Sequence, residues 1–328
     1  QSAGFMTSGG TESILMAVKA ARDRLRTERN VVKPNLVLPT SAHAAFEKAA
    51  AYFGLEVRRV PVLQDWRADV DAMRNAVDEN TVLIVGSAPQ YPQGVVDDIT
   101  EIAQIALEAR INCHVDACMG GVTLAYLERL GEKIPPWNLQ VPGVSSISVD
   151  LHKFGYTSKG ASVIMYASKQ LRSFQGFITD NWLGGFYGSS GVLGTKSGGS
   201  MASAWAVMHY LGDDGYMRLT REAREATLQI ADSIRESTEL VLRAEPQTTL
   251  LCFGARDANK LNVFALADEL LRKGWYVDRQ SPPDSLHCTV NAIHHDKIAW
   301  FTKDLHESVA LVIEQQSRGQ LGSYGTLE

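Results

Sequence analysis

Short apolar runs alternate with amphipathic stretches over the first two thirds of the chain. The runs NLVLP (35–39), TVLIVGSAP (81–89) and SISVD (146–150) have the length and branched composition of buried strands. Stretches with apolar residues on one side, such as 12–28 and 98–110, predict helices. Strands that alternate with helices predict a mostly parallel sheet covered on both faces, which is an α/β fold.

Other segments extend this pattern. SAHAAFEKAAAYFG (41–54) predicts a helix with Ser41 as its N-cap and Gly54 at its end. Further strands are predicted at 55–62, 112–117 and 161–166.

The pattern of apolar and polar residues changes after GTKSGG (194–199). Helices are predicted at 200–211, 216–242, 260–273 and 297–315, with strands at 248–255, 275–279 and 285–291. We therefore predict a large domain at 1–212, a smaller α+β domain at 213–316 and a flexible tail at 317–328.

Composition and charge disfavour some classes of function. The 328 residues are 45% hydrophobic and carry a formal net charge of −5, so nucleic acid is not an expected partner. No apolar run is long enough for a transmembrane segment. Four cysteines without a CxxC pair indicate a reducing, cytoplasmic location. Because the chain starts at Gln1 and enters a motif within ten residues, we expect an N-terminal segment to be missing.

The segment TSGGTES (7–13) places two glycines directly before a predicted helix. Such a helix start can bind an anion through its backbone N–H groups and its positive partial charge. The ordinary alternative is a helix cap made by Ser8 or Thr11. The segment is neither a Walker A sequence nor GxGxxG.

Three side chains follow predicted strands. Asp116 ends a strand, where α/β sheets bind ligands, although it could simply cap the next loop. Tyr91 lies between two prolines, after another predicted strand. The alternative to a site role is that Tyr91 does no more than pack over that turn. His43 is expected in the first turn of a helix. The run 294–296 (His-His-Asp) could bind a metal but is a better match for a solvated helix start.

Lys153, beside His152, also stands where a strand ends. An anion-binding helix start, a flat ring (His43), a carboxylate (Asp116) and this lysine at one sheet edge are all accounted for by pyridoxal 5′-phosphate. The helix start would bind its phosphate, Asp116 its ring nitrogen and Lys153 its aldehyde. Cationic neighbours are expected to lower the pKa of Lys153.

The sequence resembles the sphingosine-1-phosphate lyase family, in the group II decarboxylase branch of fold-type I pyridoxal-phosphate enzymes. The matching segments, in chain order, are MTSGGTESILMA, SAHAAFEKAAAYFG, GSAPQYPQGVVDDI, HVDACMGG, SISVDLHKFGYTSKG and GTKSGGSMASAW. The resemblance implies a pyridoxal-phosphate-dependent transferase-like fold and a homodimer whose active site is shared between subunits.

The resemblance also implies residue roles. Lys153 would bind the cofactor aldehyde with His152 beside it, Asp116 its ring nitrogen, and His43 would stack on its ring. The remaining implied site residues are Gly10 and Thr11 at the phosphate, Thr195 at the phosphate of the other subunit, and Tyr91 and Lys159 on the substrate side. A surface ion pair is the alternative role of Lys159. The loop reads GTKSG, where relatives often have serine and arginine.

The implied reaction is retro-aldol cleavage of a phosphorylated sphingoid base to a long-chain aldehyde and phosphoethanolamine. An amino-acid α-decarboxylase of the same family is the main alternative, because one fold can carry both reactions. A non-catalytic relative is a second alternative, which the joint presence of lysine, aspartate and histidine disfavours.

Overall fold

The computed structural model of the protein describes residues 1–322. They form two compact units, the first of residues 1–91 and 96–216, and the second of residues 92–95 and the described chain from 217 onward. The predicted flexible tail at 317–328 falls in part on residues 323–328, which lie outside the described residues.

The first unit contains a seven-stranded sheet. Its strands are β1 (Ala3–Thr7), β2 (Asn35–Pro39), β3 (Glu56–Val60), β4 (Thr81–Ser87), β5 (Asn112–Asp116), β6 (Val144–Asp150) and β7 (Ser162–Tyr166). Their order is β1-β7-β6-β5-β4-β2-β3, and β7 runs antiparallel to both of its neighbours. The pairs from β6 through β3 are parallel. The predicted mostly parallel α/β sheet is confirmed.

Helices cover both faces of this sheet. They are α1 (Gly10–Arg29), α2 (Ala45–Phe53), α3 (Val70–Ala76), α4 (Ile99–Ala109), α5 (Gly120–Arg129) and α6 (Lys169–Ser173). Alternate residues of β2 point to opposite faces: Leu36 and Leu38 pack with α1 and α2, whereas Val37 packs with α3 and α4. Burial on both faces explains why the strands read as continuous apolar runs.

A hairpin and the first part of a long helix, through residue 216, complete the first unit, and the rest of that helix belongs to the second unit. The strands β8 (Phe177–Thr179) and β9 (Tyr187–Ser189) pair as an antiparallel hairpin. Helix α7 (Gly199–Glu236) is interrupted at Gly212, whose φ of 56° and ψ of −171° are not helical. This break matches the predicted gap between two helices.

The second unit has its own antiparallel sheet, in the order β10-β11-β13-β12, and its own apolar core. Its elements are β10 (Leu240–Leu242), β11 (Leu250–Ala255), α8 (Val263–Arg272), β12 (Asp278–Gln280), β13 (Ser285–Thr289), a 3₁₀ helix (Ala292–Lys297) and α9 (Ile298–Gln315). It is the predicted smaller α+β arrangement.

Two predicted helix boundaries are wrong. The long helix ends at Glu236 rather than near residue 242, because Ser237 Oγ accepts the N–H groups of Glu239 and Leu240 and redirects the chain into β10. Helix α2 starts at Ala45, and Ser41 does not cap it. The predicted end at Gly54 is correct, since Gly54 takes a left-handed conformation with φ of 70°.

Among residues 1–322, every helix is either too short or too polar to cross a lipid bilayer.

Candidate active site

The carboxyl ends of β4, β5 and β6 lie side by side in the sheet. Ser87 is level with Asp116, and Asp116 is level with Ser148, two residues before the end of β6 at Asp150. The chain leaving β4 stays at this edge, since Ala88 N–H donates to Asp116 O at 2.8 Å. In open α/β sheets this edge is where ligands bind.

Helix α1 begins at the same edge and has no side-chain cap. Its N-cap is Gly9, and neither Ser8 nor Thr11 accepts a hydrogen bond there. Instead, Ser8 donates through both its N–H and its hydroxyl to Glu12 Oε2, each at 2.7 Å. The capping alternative is therefore wrong, and a helix start without a side-chain cap can bind an anion through its N–H groups.

Gly10 is required by a close approach. A Cβ atom at this position would lie 2.7 Å from Cys118 Sγ and 2.9 Å from both carboxylate oxygens of Asp150. The glycine thus lets the start of α1 pack directly against the ends of β5 and β6.

Lys153 lies in the turn after β6 and is paired with Asp150. Its Nζ is 2.9 Å from Asp150 Oδ2, and the Asp150 side chain is 2% exposed. Burial alone would lower the pKa of Lys153, but the charge of Asp150 outweighs it and raises the pKa well above its ordinary value. The expectation of cationic neighbours that lower this pKa is therefore wrong: the nearest charge is a carboxylate.

Asp150 also organises the groups around Lys153. Ser162 Oγ donates to Asp150 Oδ1 at 2.6 Å, and His152 Nε2 lies 3.7 Å from Oδ2. Burial, followed by the charges of Lys159 and Lys153, keeps the pKa of His152 below its ordinary value although Asp150 opposes this. Asp150 is a site residue that was not predicted from the sequence; its signal is an acidic residue at a strand end, three positions before a lysine.

Asp116 is a buried carboxylate, 8% exposed. Burial opposes its ionisation, but the electrostatic contribution of His43 and the hydrogen bonds from Cys118 hold its pKa below the ordinary value. Cys118 N–H donates to Asp116 Oδ1 at 3.0 Å. An ionised carboxylate at this depth is suited to pair with a cationic ring nitrogen.

His43 is half-buried and precedes α2 rather than lying in its first turn. Its Nδ1 accepts the N–H of Ala45 at 3.0 Å, so the ring takes the place of the predicted serine cap and is held in one orientation. Ser41 Oγ is buried and has no hydrogen-bond partner within residues 1–322. A buried hydroxyl without a partner next to His43 is consistent with a site that a polar ligand completes.

Lys159 is exposed and lines a cavity of about 310 Å³. Its walls also carry Lys196 and the hydroxyl residues Thr7, Ser8, Ser197 and Ser200. Lys196 donates to Met6 O, and its Nζ lies 3.6 Å from the centroid of the Phe5 ring. Two lysines and several hydroxyls give this cavity the chemistry of an anion site.

The remaining predicted residues lie in loops. Tyr91 is half-buried in the loop after β4, and Thr195 is exposed in the loop before α7. Their site roles stay predictions. His294 closes a capping box with Asn291, as expected of a helix start, and no group of three metal-binding side chains occurs within residues 1–322.

The described residues fit pyridoxal 5′-phosphate. An uncapped helix start lies at the sheet edge where the ionised Asp116 and the amine of Lys153 also stand, and the charge of Asp116 acts on Lys153. Ser41 offers a buried hydroxyl without a partner at the same edge. Fold and site together fit an α/β protein that holds a pyridoxal cofactor.

Comparison with known proteins gives the same class. Residues 1–256 match the sequence profile of the pyridoxal-dependent decarboxylase conserved domain. The chain therefore belongs to the pyridoxal-dependent decarboxylase family.

Within this family, the chain is similar to sphingosine-1-phosphate lyases. It is 40% identical to the enzyme of Arabidopsis thaliana over 312 residues, which cover 95% of this chain and 57% of that protein. Its identity with sphingosine-1-phosphate lyase 1 of Rattus norvegicus is 38%, covering 95% and 55% of the two chains. The chain thus spans somewhat more than half the length of these curated relatives.

Solved structures show the same similarity in the fold. The sphingosine-1-phosphate lyase of Burkholderia pseudomallei superposes with a TM-score of 0.90 at 38% identity, covering 94% of this chain and 70% of that one. The glutamate decarboxylase of Lactobacillus brevis superposes with a TM-score of 0.85 at 21% identity, which shows the shared fold alone.

Proposed function

We propose that this chain forms the cofactor-binding part of a pyridoxal-phosphate-dependent aldehyde-lyase that cleaves phosphorylated sphingoid bases. The products would be a long-chain aldehyde and phosphoethanolamine. The observation that carries the proposal is the meeting of Lys153, the ionised Asp116 and the uncapped start of α1 at one sheet edge. The similarity to sphingosine-1-phosphate lyases supports the choice of substrate.

Each part of the site has a proposed role in holding the cofactor. The N–H groups at Gly10 and Thr11 would bind its phosphate, His152 would lie beside Lys153, and His43 would stack on the ring. Lys153 supplies the amine that binds the aldehyde, and Asp116 keeps a proton on the ring nitrogen. Once bound, the cofactor supplies an electron-accepting ring that makes cleavage of the substrate C2–C3 bond possible.

The substrate side uses the chain's other polar groups. Lys159, in the cavity that it shares with Lys196, binds the phosphate of the substrate through charge-assisted hydrogen bonds. No ion pair of Lys159 with an acidic residue occurs in the described chain, which leaves its positive charge available to bind a phosphate. Proton transfer is the alternative role: Tyr91, or Lys159 in its neutral form, would take the proton from the C3 hydroxyl.

We also propose that the enzyme is a homodimer in which Thr195 reaches the phosphate site of the other subunit. The hairpin β8–β9 and the adjoining part of α7 expose apolar side chains that water does not favour: Phe177, Ile178, Trp182, Leu183, Phe186, Trp205 and Tyr210. In sedimentation experiments, Leu183→Asp is expected to weaken self-association. A wild-type chain that sediments as a monomer at all accessible concentrations would remove this part of the proposal.

The unpaired state of all four cysteines supports a reducing, cytoplasmic location.

Borohydride reduction tests the proposed cofactor site. After loading with pyridoxal 5′-phosphate, peptide mass mapping should find a pyridoxyl adduct on Lys153, lost in Lys153→Ala and kept in the surface variant Lys169→Ala. Absence of the adduct from Lys153 would overturn the proposal.

Product analysis then separates the lyase from an amino-acid decarboxylase. A phosphorylated sphingoid base should yield a long-chain aldehyde, while amino acids should release no carbon dioxide. Release of carbon dioxide without aldehyde would favour the decarboxylase.

A further inference from the structure

Behind Asp116 lies a buried histidine that the proposed reaction does not use. His114 is two residues before Asp116 on β5, so both side chains project from the same face of the strand. The His114 side chain is fully buried. Its Nδ1 lies 2.8 Å from Ser146 Oγ and its Nε2 lies 3.1 Å from Ser148 Oγ, both on the neighbouring strand β6.

Ser148 connects this histidine to the carboxylate. Its Oγ lies 3.4 Å from Asp116 Oδ1 and also accepts from Cys118 Sγ at 3.3 Å. His114, Ser148 and Asp116 therefore form a continuous hydrogen-bonded chain at the end of β5, which we call the His114 chain.

The protons of this chain can be assigned by elimination. An ionised carboxylate accepts hydrogen bonds only, so Ser148 donates its single hydroxyl proton to Asp116. Ser148 must then accept from His114, which places the ring proton on Nε2. Nδ1 carries no proton and accepts from the Ser146 hydroxyl. In this arrangement every side chain of the His114 chain has a hydrogen-bond partner.

The burial of His114 agrees with a ring that carries a single proton. Burial lowers the pKa of His114 to about 4, although the charge of Asp116 acts in the opposite direction. At pH 7 the ring is therefore neutral and has one N–H to give.

We propose that His114 is a positioning residue for Asp116: its Nε2–H, relayed through Ser148, orients the carboxylate and stabilises its ionised form. Donation to the charged form of an acid lowers its pKa. The use of this effect rests on the proposed function, because an ionised Asp116 is what would hold a proton on the cofactor ring. The proton assignment itself does not depend on the cofactor.

Nitrogen-15 NMR of the cofactor-free chain tests the assignment directly. At neutral pH, His114 should show the Nε2–H tautomer. Observation of the Nδ1–H tautomer or of the doubly protonated ring would overturn it. Failure of the Lys153 trapping experiment would remove the proposed function and leave this result untouched.

Carbon-13 titration of the Asp116 carboxyl group tests the relay. Ser148→Ala is expected to raise the pKa of Asp116 by about one unit, since a hydrogen bond to a charged group is lost. Ser146→Ala, which deletes the same hydroxyl on the other side of the ring, should leave it within about 0.3 unit. Equal shifts in these two variants, or no shift in Ser148→Ala, would overturn the proposal.

Replacement of the ring gives a readout that packing alone would not produce. His114→Gln keeps a donor near the place of Nε2, whereas His114→Leu removes it. The pKa of Asp116 should rise in the leucine variant and return toward the wild-type value in the glutamine variant. A glutamine variant that shifts as far as the leucine variant would count against the relay. Should His114→Leu fail to fold, the comparison of the two serine variants decides.

Discussion

Lys153 Nζ and Asp150 Oδ2 lie 2.9 Å apart at the carboxyl end of β6. The aspartate side chain is 2% exposed and the lysine side chain 31%, so solvent weakens this pair less than it weakens a fully exposed salt bridge. Asp150 holds the lysine as an ammonium group, and its carboxylate lies beside Gly10 at the start of α1. An amine must lose its proton before it attacks an aldehyde, so Asp150 opposes the reaction of Lys153 with a cofactor until the pair separates.

Asp150→Asn is therefore expected to make Lys153 more reactive. Loss of the carboxylate charge lowers the pKa of Lys153, since that charge is what outweighs burial in the wild type. At pH 8 the rate of acylation of Lys153 by a small amine-reactive anhydride, which releases a carboxylate, should rise about tenfold for each unit by which the pKa falls. Mass spectrometry of the labelled peptides, with the exposed Lys33 as internal reference, measures the rate. An unchanged ratio of Lys153 to Lys33 labelling would contradict the prediction.

The sequence predicted Asp116 as a site residue and missed Asp150, although both end neighbouring strands. The strand-end rule applies to each, and the difference lies in the turn after β6, where Tyr156 N–H donates to Lys153 O and His152 N–H to Ala161 O. These bonds bring Lys153 back over Asp150. Turn geometry of this kind has no periodic signal, so apolar spacing cannot predict it.

Prediction from sequence succeeded where one local pattern decides the structure. The bounds of β2 match the apolar run 35–39, and the end of α2 matches the glycine at 54. It failed where distant segments decide. Strand β1 exists because Ala3–Thr7 pairs with Ser162–Tyr166, far along the chain. Helix α2 lost its predicted serine cap because the His43 ring accepts the hydrogen bond instead.

Gly10→Ala should destabilise the first unit. The added Cβ would meet Cys118 Sγ at 2.7 Å and both Asp150 carboxylate oxygens at 2.9 Å. Cys118 is buried, and the Asp150 carboxylate is bonded to Ser162 and Lys153, so neither side chain can turn away without losing contacts. Overpacking of this kind costs about 1–3 kcal/mol. Urea unfolding measures the loss. Gly198→Ala is the matched control, since no heavy atom lies within 4 Å of its added Cβ. Equal stability of the two variants would show that the site relaxes around the methyl group.

Glu12→Gln should loosen the loop before α7. Glu12 Oε1 accepts the N–H of Val192 at 3.1 Å, while Oε2 accepts both groups of Ser8. The amide nitrogen of glutamine would face a donor on one of these sides, so one charge-assisted bond is lost. Trypsin cleavage after Lys196 is expected to accelerate on the order of tenfold.

Glu28→Gln, on the exposed end of the same helix, serves as the control for Glu12. Its cleavage rate at Lys196 should equal that of the wild type. If Glu12→Gln cleaves no faster than Glu28→Gln, the contact with Val192 does not hold the loop.

His287 should make the second unit less stable in acid. Its Nδ1–H donates to Pro92 O at 3.3 Å and its Nε2 accepts from the Thr289 hydroxyl at 3.0 Å, which requires a neutral ring. Burial is the main cause that lowers its pKa, to about 4 from an ordinary 6.5. Between these values the unfolded chain binds more protons than the folded chain, so stability is present above pH 6.5 and is lost as the pH falls toward 4.

His287→Asn tests this dependence, because the asparagine amide can still donate to Pro92 O but does not titrate. From pH 7 to pH 5 the wild type should lose about 2 kcal/mol of unfolding free energy through His287. Because asparagine does not titrate, the variant should lose about 2 kcal/mol less than the wild type over the same range. Urea unfolding at the two pH values, followed by the signal of the second unit, measures the difference. The variant will be less stable at pH 7, because the bond to Thr289 is weakened. The test therefore compares how the unfolding free energy changes with pH, and not its absolute value. Parallel pH profiles for the two proteins would mean that His287 is not the group whose protonation unfolds this unit.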